Sequence, residues 1–154
     1  MRWLALLLAF AAGTAVAETI SGTVITVIDG DTITVSDAAS KHYRVRLAGV
    51  DAPEAKQAFG LESARSLAAL CYRKAAKVEW KERKRRVHFG QVTSEDKDAA
   101  AEQVRHGMAW VSPRQITAGS ALPELEAYAR LRKVGLWADE KPVPPWEWRK
   151  ESRD

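Results

Sequence analysis

A single cysteine, Cys71, excludes an internal disulfide framework and any zinc finger built on cysteines. Histidine is scarce too: His42, His88 and His106 stand at no metal-ligand spacing, so structural or surface roles are expected for all three. After residue 17 no apolar run approaches the ~20 residues that a membrane-spanning helix needs. Internal repeats and low-complexity linkers are also missing, which excludes solenoids and flexible multidomain arrangements. What remains is ordinary for a globular protein: 154 residues, 46% hydrophobic and 29% charged, enough for one domain with its own core and hardly for two. Acidic residues (20) are outnumbered by Lys plus Arg (24), and the net charge of +4 favours polyanionic partners without naming one.

The first residues form a separate unit. Met1-Arg2-Trp3 is a short positive opening, Leu4 to Ala12 is apolar, and Ala15-Val16-Ala17 offers the small residues that a signal peptidase reads. A signal peptide over residues 1–17 is therefore expected, with an exported domain over 18–148 and a disordered tail over 149–154. In an oxidising compartment a lone thiol is best buried, and Cys71 lies on the apolar side of an expected helix.

Val, Ile and Thr in Ser21 to Ile28 predict a strand, Asp29-Gly30 a tight turn, and Thr32 to Val35 the returning strand. Lys41 to Leu47 alternates, with Tyr43, Val45 and Leu47 on one face and His42, Arg44 and Arg46 on the other. Gly60 to Arg73 predicts a helix with Leu61, Ala64, Ala68 and Cys71 as its apolar stripe. Two further strands are expected at Ala76 to Glu82 and Val87 to Thr93, then a polar turn and a short helix from Ala99 to His106, capped by Asp98 and ended by Gly107. Leu122 to Val134 reads as another helix, and the proline-rich stretch Pro142 to Trp148 as a non-helical strap. This order predicts an α+β fold, with a small five-stranded Greek-key barrel of the OB type and three α-helices.

Four polar residues could carry chemistry together: Asp31, Arg46, Asp51 and Glu54. Singly, each has a plain reading: a turn former, a solvated strand residue, a turn before a proline, a first-turn helix residue. As a set they supply two hard-oxygen carboxylates suited to Ca²⁺ or Mg²⁺, a guanidinium that can grip phosphate with two hydrogen bonds, and a third carboxylate to orient or deprotonate water. Those are the parts needed for attack on a phosphodiester.

Val27 to Val35 (VIDGDTITV) followed by Arg46 to Glu54 (RLAGVDAPE) closely resembles the staphylococcal nuclease-like family, as do Val104 to Val111 and Lys133 to Trp137. The resemblance implies cleavage of DNA and RNA with one Ca²⁺. It also implies that Asp31, Asp51 and the Ala52 carbonyl are metal ligands, that Arg46 binds the scissile phosphate, and that Glu54 acts on the attacking water.

The family's second arginine falls, in a gap-free register, on Val87, and its Tyr-Gly pair on Arg85-Arg86. A one-residue slip would bring Arg86 into place but turn it to the other sheet face. A missing charge clamp of this kind costs about 10²–10³ in rate, so reduced turnover is expected. The alternative is a catalytically impaired nucleic-acid-binding OB module. A scaffold that uses the barrel for protein contacts has little support in the sequence. The family's base-stacking tyrosines are replaced by Pro113 and Gln115. Within the basic run Lys81 to Arg86, the residues Lys84, Arg85 and Arg86 are candidate polyphosphate contacts, or simply a solvated hairpin turn. Trp80, Trp110, Trp137, Trp146 and Trp148 are expected to pack in the core or beneath the strap. A monomer is expected.

Overall fold

A computed structural model describes residues 18–152. The expected signal peptide at 1–17 lies outside the described residues. In chain order the elements are β1 (Glu18–Val27), β2 (Thr32–Ser36), β3 (His42–Leu47), β4 (Val50–Asp51), α1 (Gly60–Cys71), β5 (Ala75–Lys84), β6 (Val87–Ser94), β7 (Lys97–Asp98), α2 (Ala99–Arg105), β8 (Trp110–Val111), α3 (Leu122–Arg132), a 3₁₀ turn (Gly135–Ala138) and α4 (Pro145–Glu151).

The long strand β1 is shared. Its first half pairs antiparallel with β5 and its second half with β2. β2 pairs with β3, β5 with β6, and a parallel ladder between β3 and β6 closes the ring. Register shifts at Val24/Thr26 and Trp80/Glu82 leave Ile25 and Lys81 as extra residues, and such bulges bend long strands enough to close a small barrel. The expected α+β, OB-type barrel is the fold observed, with four α-helices among the described residues where three were expected.

Alternation along the strands fills the interior. Val24, Ile33, Val35, Val45, Leu47, Val78 and Val92 are fully buried. Each contributes about 1.5–3 kcal/mol of transfer free energy before the entropy of ordering is set against it. His88, opposite Val45, is also buried, packing edge-on against Trp80 and Tyr43, so its role is structural. Arg44, Arg46, Val87 and Phe89 share the outer face of the β3–β6 ladder.

Among the described residues no helix is long and apolar enough to cross a membrane. α1 buries Gly60, Ser63, Leu67 and Cys71, while Leu61 is exposed. The apolar stripe expected from the sequence is therefore rotated. Ser63 takes a core position because its hydroxyl donates to the Met108 carbonyl (2.6 Å). Cys71 is fully buried, and burial pushes its thiol up to about 11, which makes it unreactive. α2 starts as expected, with the Asp98 carboxylate accepting from the Ala101 N–H.

The C-terminal region departs from expectation. The stretch read as a non-helical strap enters helix α4 at Pro145, and residues 149–151, expected in a disordered tail, complete it. Proline is disfavoured inside a helix, but Pro145 is the first helical residue, where its missing N–H has no partner to lose. Pro144 before it is extended (φ −70°, ψ 148°), as a residue preceding proline prefers. A second apolar cluster receives this helix: Trp110, Ala129, Leu136 and Trp137, with Phe59, Val134 and Trp146 against it. The Arg130 guanidinium lies 3.7 Å from the Trp137 ring centroid and is held by Glu126, whose other oxygen accepts from the Val111 N–H.

Candidate active site

The Asp29-Gly30 turn delivers Asp31 to the mouth of the barrel. The Asp29 carboxylate accepts from the Asp31 N–H (3.0 Å), and the Asp31 carbonyl accepts from the Leu47 N–H (2.8 Å). Gly30 is required by proximity: a Cβ there would run into the Ser63 hydroxyl and the Ala52 methyl. Buried Gln103 of α2 locks the turn, donating to the carbonyls of Gly30 (2.8 Å) and Ser63 (3.0 Å) and accepting from the Ser66 hydroxyl (2.6 Å). A satisfied network of this kind holds a loop in one conformation.

Thr32 and Arg46 are register partners, so Arg46 stands beside Asp31 at the end of β3. Its Nη2 donates to both Asp31 Oδ2 (2.9 Å) and Asp51 Oδ1 (2.7 Å), so one nitrogen joins the two carboxylates. Asp31 and Asp51 are buried, with side-chain exposures of 3% and 9%. Asp31 Oδ2 also accepts from the Ala52 N–H (2.9 Å), and Oδ1 from the Thr32 hydroxyl (2.7 Å). Burial still pushes the Asp31 carboxyl up to about 6, with Arg46 pulling it back and Asp29 adding to the rise. For Arg46, burial works against the cation, but the two aspartates outweigh it and hold the guanidinium charged. Arg46 Nε is buried without a partner among the described residues.

Asp31, Arg46, Asp51 and Ala52 are thus brought together as the sequence suggested. Glu54 joins them through a residue that sequence reasoning missed. Arg149 of α4 donates from Nη2 to Asp51 Oδ2 (2.6 Å), and from Nη1 to Asp51 Oδ1 (3.1 Å) and Glu54 Oε1 (2.6 Å). Its hydrogen bonds to Asp51, with help from the one to Glu54, raise its basicity well above that of a free guanidinium.

The placement of Arg149 has a simple mechanical origin. Asp51 and Trp110 are directly opposite each other in the β4–β8 ladder. Trp146 packs against Trp110, with ring centroids 5.8 Å apart, and Arg149 follows three residues later on the same helix face. Docking the tryptophan brings the arginine over the carboxylate. The Pro-Pro pair ahead of Trp-Glu-Trp-Arg was the available signal, since proline at a first helical position marks a helix start.

Val87 opens β6, and Arg85-Arg86 form the exposed turn before it, so neither of these arginines takes a place in the β3–β6 ladder. Lys84 ends β5, paired with Glu82 (2.8 Å) and lying 5.7 Å from the Phe89 ring centroid. Pro113 and Gln115 line a cleft of about 420 Å³ together with Arg46, Asp51, Arg114, Trp146, Arg149 and Lys150.

The donor set suits a hard divalent cation. Oxygens of two buried carboxylates converge on Arg46 Nη2, and hard oxygen donors of this kind suit such an ion. Among the described residues no three His, Cys, Asp or Glu side chains form a ready cage, so backbone and solvent oxygens would complete the shell.

A closed OB-type barrel with two aspartates and an arginine joined at its mouth is the frame of this site. The chain belongs to the staphylococcal nuclease homologue family, whose model matches residues 44–139. It is 42% identical over 132 residues to an uncharacterized endonuclease of Escherichia coli O157:H7, covering 84% of this chain and 85% of the relative. An uncharacterized endonuclease of Haemophilus influenzae is 34% identical over 132 residues (84% and 73% covered), and a micrococcal nuclease of Shigella flexneri is 34% identical over 144 residues (86% and 82%).

Proposed function

We propose that this chain is an exported, Ca²⁺-dependent nuclease, monomeric, that hydrolyses phosphodiester bonds of DNA and RNA with little sequence preference. The observation that carries this reading is the single Arg46 nitrogen joining Asp31 and Asp51, with Glu54 linked to the same centre. The names of the relatives, endonuclease and micrococcal nuclease, support it.

Asp31, Asp51 and the Ala52 carbonyl would hold the cation, which supplies Lewis-acid polarisation of the phosphate. Arg46 binds a non-bridging phosphate oxygen and stabilises the charge that grows there. Glu54, the most exposed of the three carboxylates, takes a proton from water as the water oxygen bonds to phosphorus. The ester P–O bond breaks, and its electron pair leaves on the sugar oxygen, which is protonated from solvent.

The test uses residues 18–154 on single-stranded DNA and on RNA, in Ca²⁺ or in chelator. Chelation is expected to abolish cleavage, and Glu54→Gln to lower kcat by about 10²–10⁴. Cleavage indifferent to both would overturn the reading. A second reading, a binding module with an impaired centre, is favoured by Val87 at the second-arginine position. Tight binding with no cleavage in Ca²⁺ selects it.

Lys84, Arg85 and Arg86 extend the polyanion surface in this reading, since all three are exposed. Neutralising them is expected to flatten the dependence of log affinity on log salt by about 2 for a single strand. An unchanged slope removes this hairpin from the binding surface.

A further inference from the structure

We propose that Arg149, carried by the C-terminal helix, is the second phosphate-clamping arginine of this centre and takes the role left open at Val87. The inference rests on the nuclease reading, and it names a catalytic group outside the barrel strands.

Three observations converge on it. First, Arg149 is held at the reacting position by geometry: its two terminal nitrogens bridge Asp51, a metal-side carboxylate, and Glu54, the water-side carboxylate. A phosphate attacked by water from the Glu54 side must present its non-bridging oxygens between these two groups, within reach of the same guanidinium. Second, the cleft lined by Arg46, Asp51 and Arg149 is also lined by Lys150 and Arg114, so further cations stand along it. Trp146 lines the same cleft and is half-buried, which gives a base a flat apolar surface where the chain has Pro113 and Gln115. Third, among the described residues no arginine stands at the β6 position. Val87 shares the outer face with Arg46 but carries no charge, and Arg85 and Arg86 stay in the turn.

Until a phosphate enters, the carboxylates keep the guanidinium in place and its charge neutralised. When a phosphodiester arrives, the guanidinium exchanges carboxylate hydrogen bonds for two to phosphate oxygens, a geometry that its planar fork matches. This also frees Glu54 to accept the proton from water. A lysine presents a point charge and cannot make the paired contact, so Arg149→Lys should keep little of the effect.

The experiment compares residues 18–154 with Arg149→Ala, Arg149→Lys, Val87→Arg and the Arg149→Ala/Val87→Arg double variant, with thermal melts on each to follow the fold. In Ca²⁺ with single-stranded DNA, Arg149→Ala is expected to lose about 10²-fold in kcat with a smaller change in KM. Adding Val87→Arg to it should restore at least about tenfold, and more than the same substitution gains in the parent. A helix latch of purely structural value would lower the melting temperature and gain nothing from an arginine on β6. Calorimetric titration with thymidine 5′-monophosphate, which has no internucleotide bond to cleave, gives a readout free of turnover. Arg149→Ala should weaken its affinity about tenfold in Ca²⁺. If the parent fails to cleave, the nuclease reading falls while the titration still decides whether Arg149 binds phosphate. Unchanged mononucleotide affinity in Arg149→Ala, or no recovery in the double variant of a cleaving parent, overturns the assignment.

Discussion

Arg46→Ala is expected to lower kcat by about 10²–10³ and also to destabilise the fold, because the same nitrogen serves both purposes. Asp31 and Asp51 face each other across it at 2.9 and 2.7 Å. Without it two buried carboxylates confront each other with one cation fewer between them. Removing one partner of a buried pair costs about 3–5 kcal/mol; the 30% exposure of the Arg46 side chain argues for the lower end. Calcium should recover part of the lost melting temperature, since a divalent ion between the aspartates would replace the missing charge. The checks are a melting curve of Arg46→Ala with and without Ca²⁺ and a kcat measurement beside the parent. A variant that melts like the parent without calcium would contradict the bridging role of Arg46.

The second large effect is expected at a residue that does not line the cleft. Trp137 is the floor of the smaller cluster, packed at 4.3 Å between ring centroids against Trp110 and covered by Arg130. Trp137→Ala should cost about 3–5 kcal/mol, because the void cannot be filled by a cluster so small. It should also lower kcat towards the value of Arg149→Ala, since Trp110 supports Trp146 and Trp146 sets the position of Arg149. Measuring both variants and their combination separates the outcomes. Losses that add would mean that Trp137 acts on stability alone; losses that do not add would place the two residues on one path.

The parts of the fold that rest on local physics were legible in the sequence. Alternation in His42–Leu47 correctly put Val45 and Leu47 inside and left Arg46 on the outer face. Asp98 was recognisable as a cap because its carboxylate serves an N–H three residues away, a contact written into adjacent sequence. α1 was found but rotated, since a hydroxyl such as that of Ser63 earns a core position only through a partner distant in the chain. The C-terminal helix was hidden for a different reason: proline breaks a helix interior, but at the first helical position, where Pro145 stands, it does not. Most of the candidate site lay within the 24 residues from Asp31 to Glu54, close enough for a motif to expose it. Arg149 lies 98 residues from Asp51, and only the docking of one tryptophan on another joins them.

The chain therefore assembles this cluster from segments far apart in sequence. Synthesis runs from the N-terminus, so Asp31, Arg46, Asp51 and Glu54 are made well before Arg149. On the nuclease reading proposed above, a chain that has not yet reached Arg149 carries an unfinished centre.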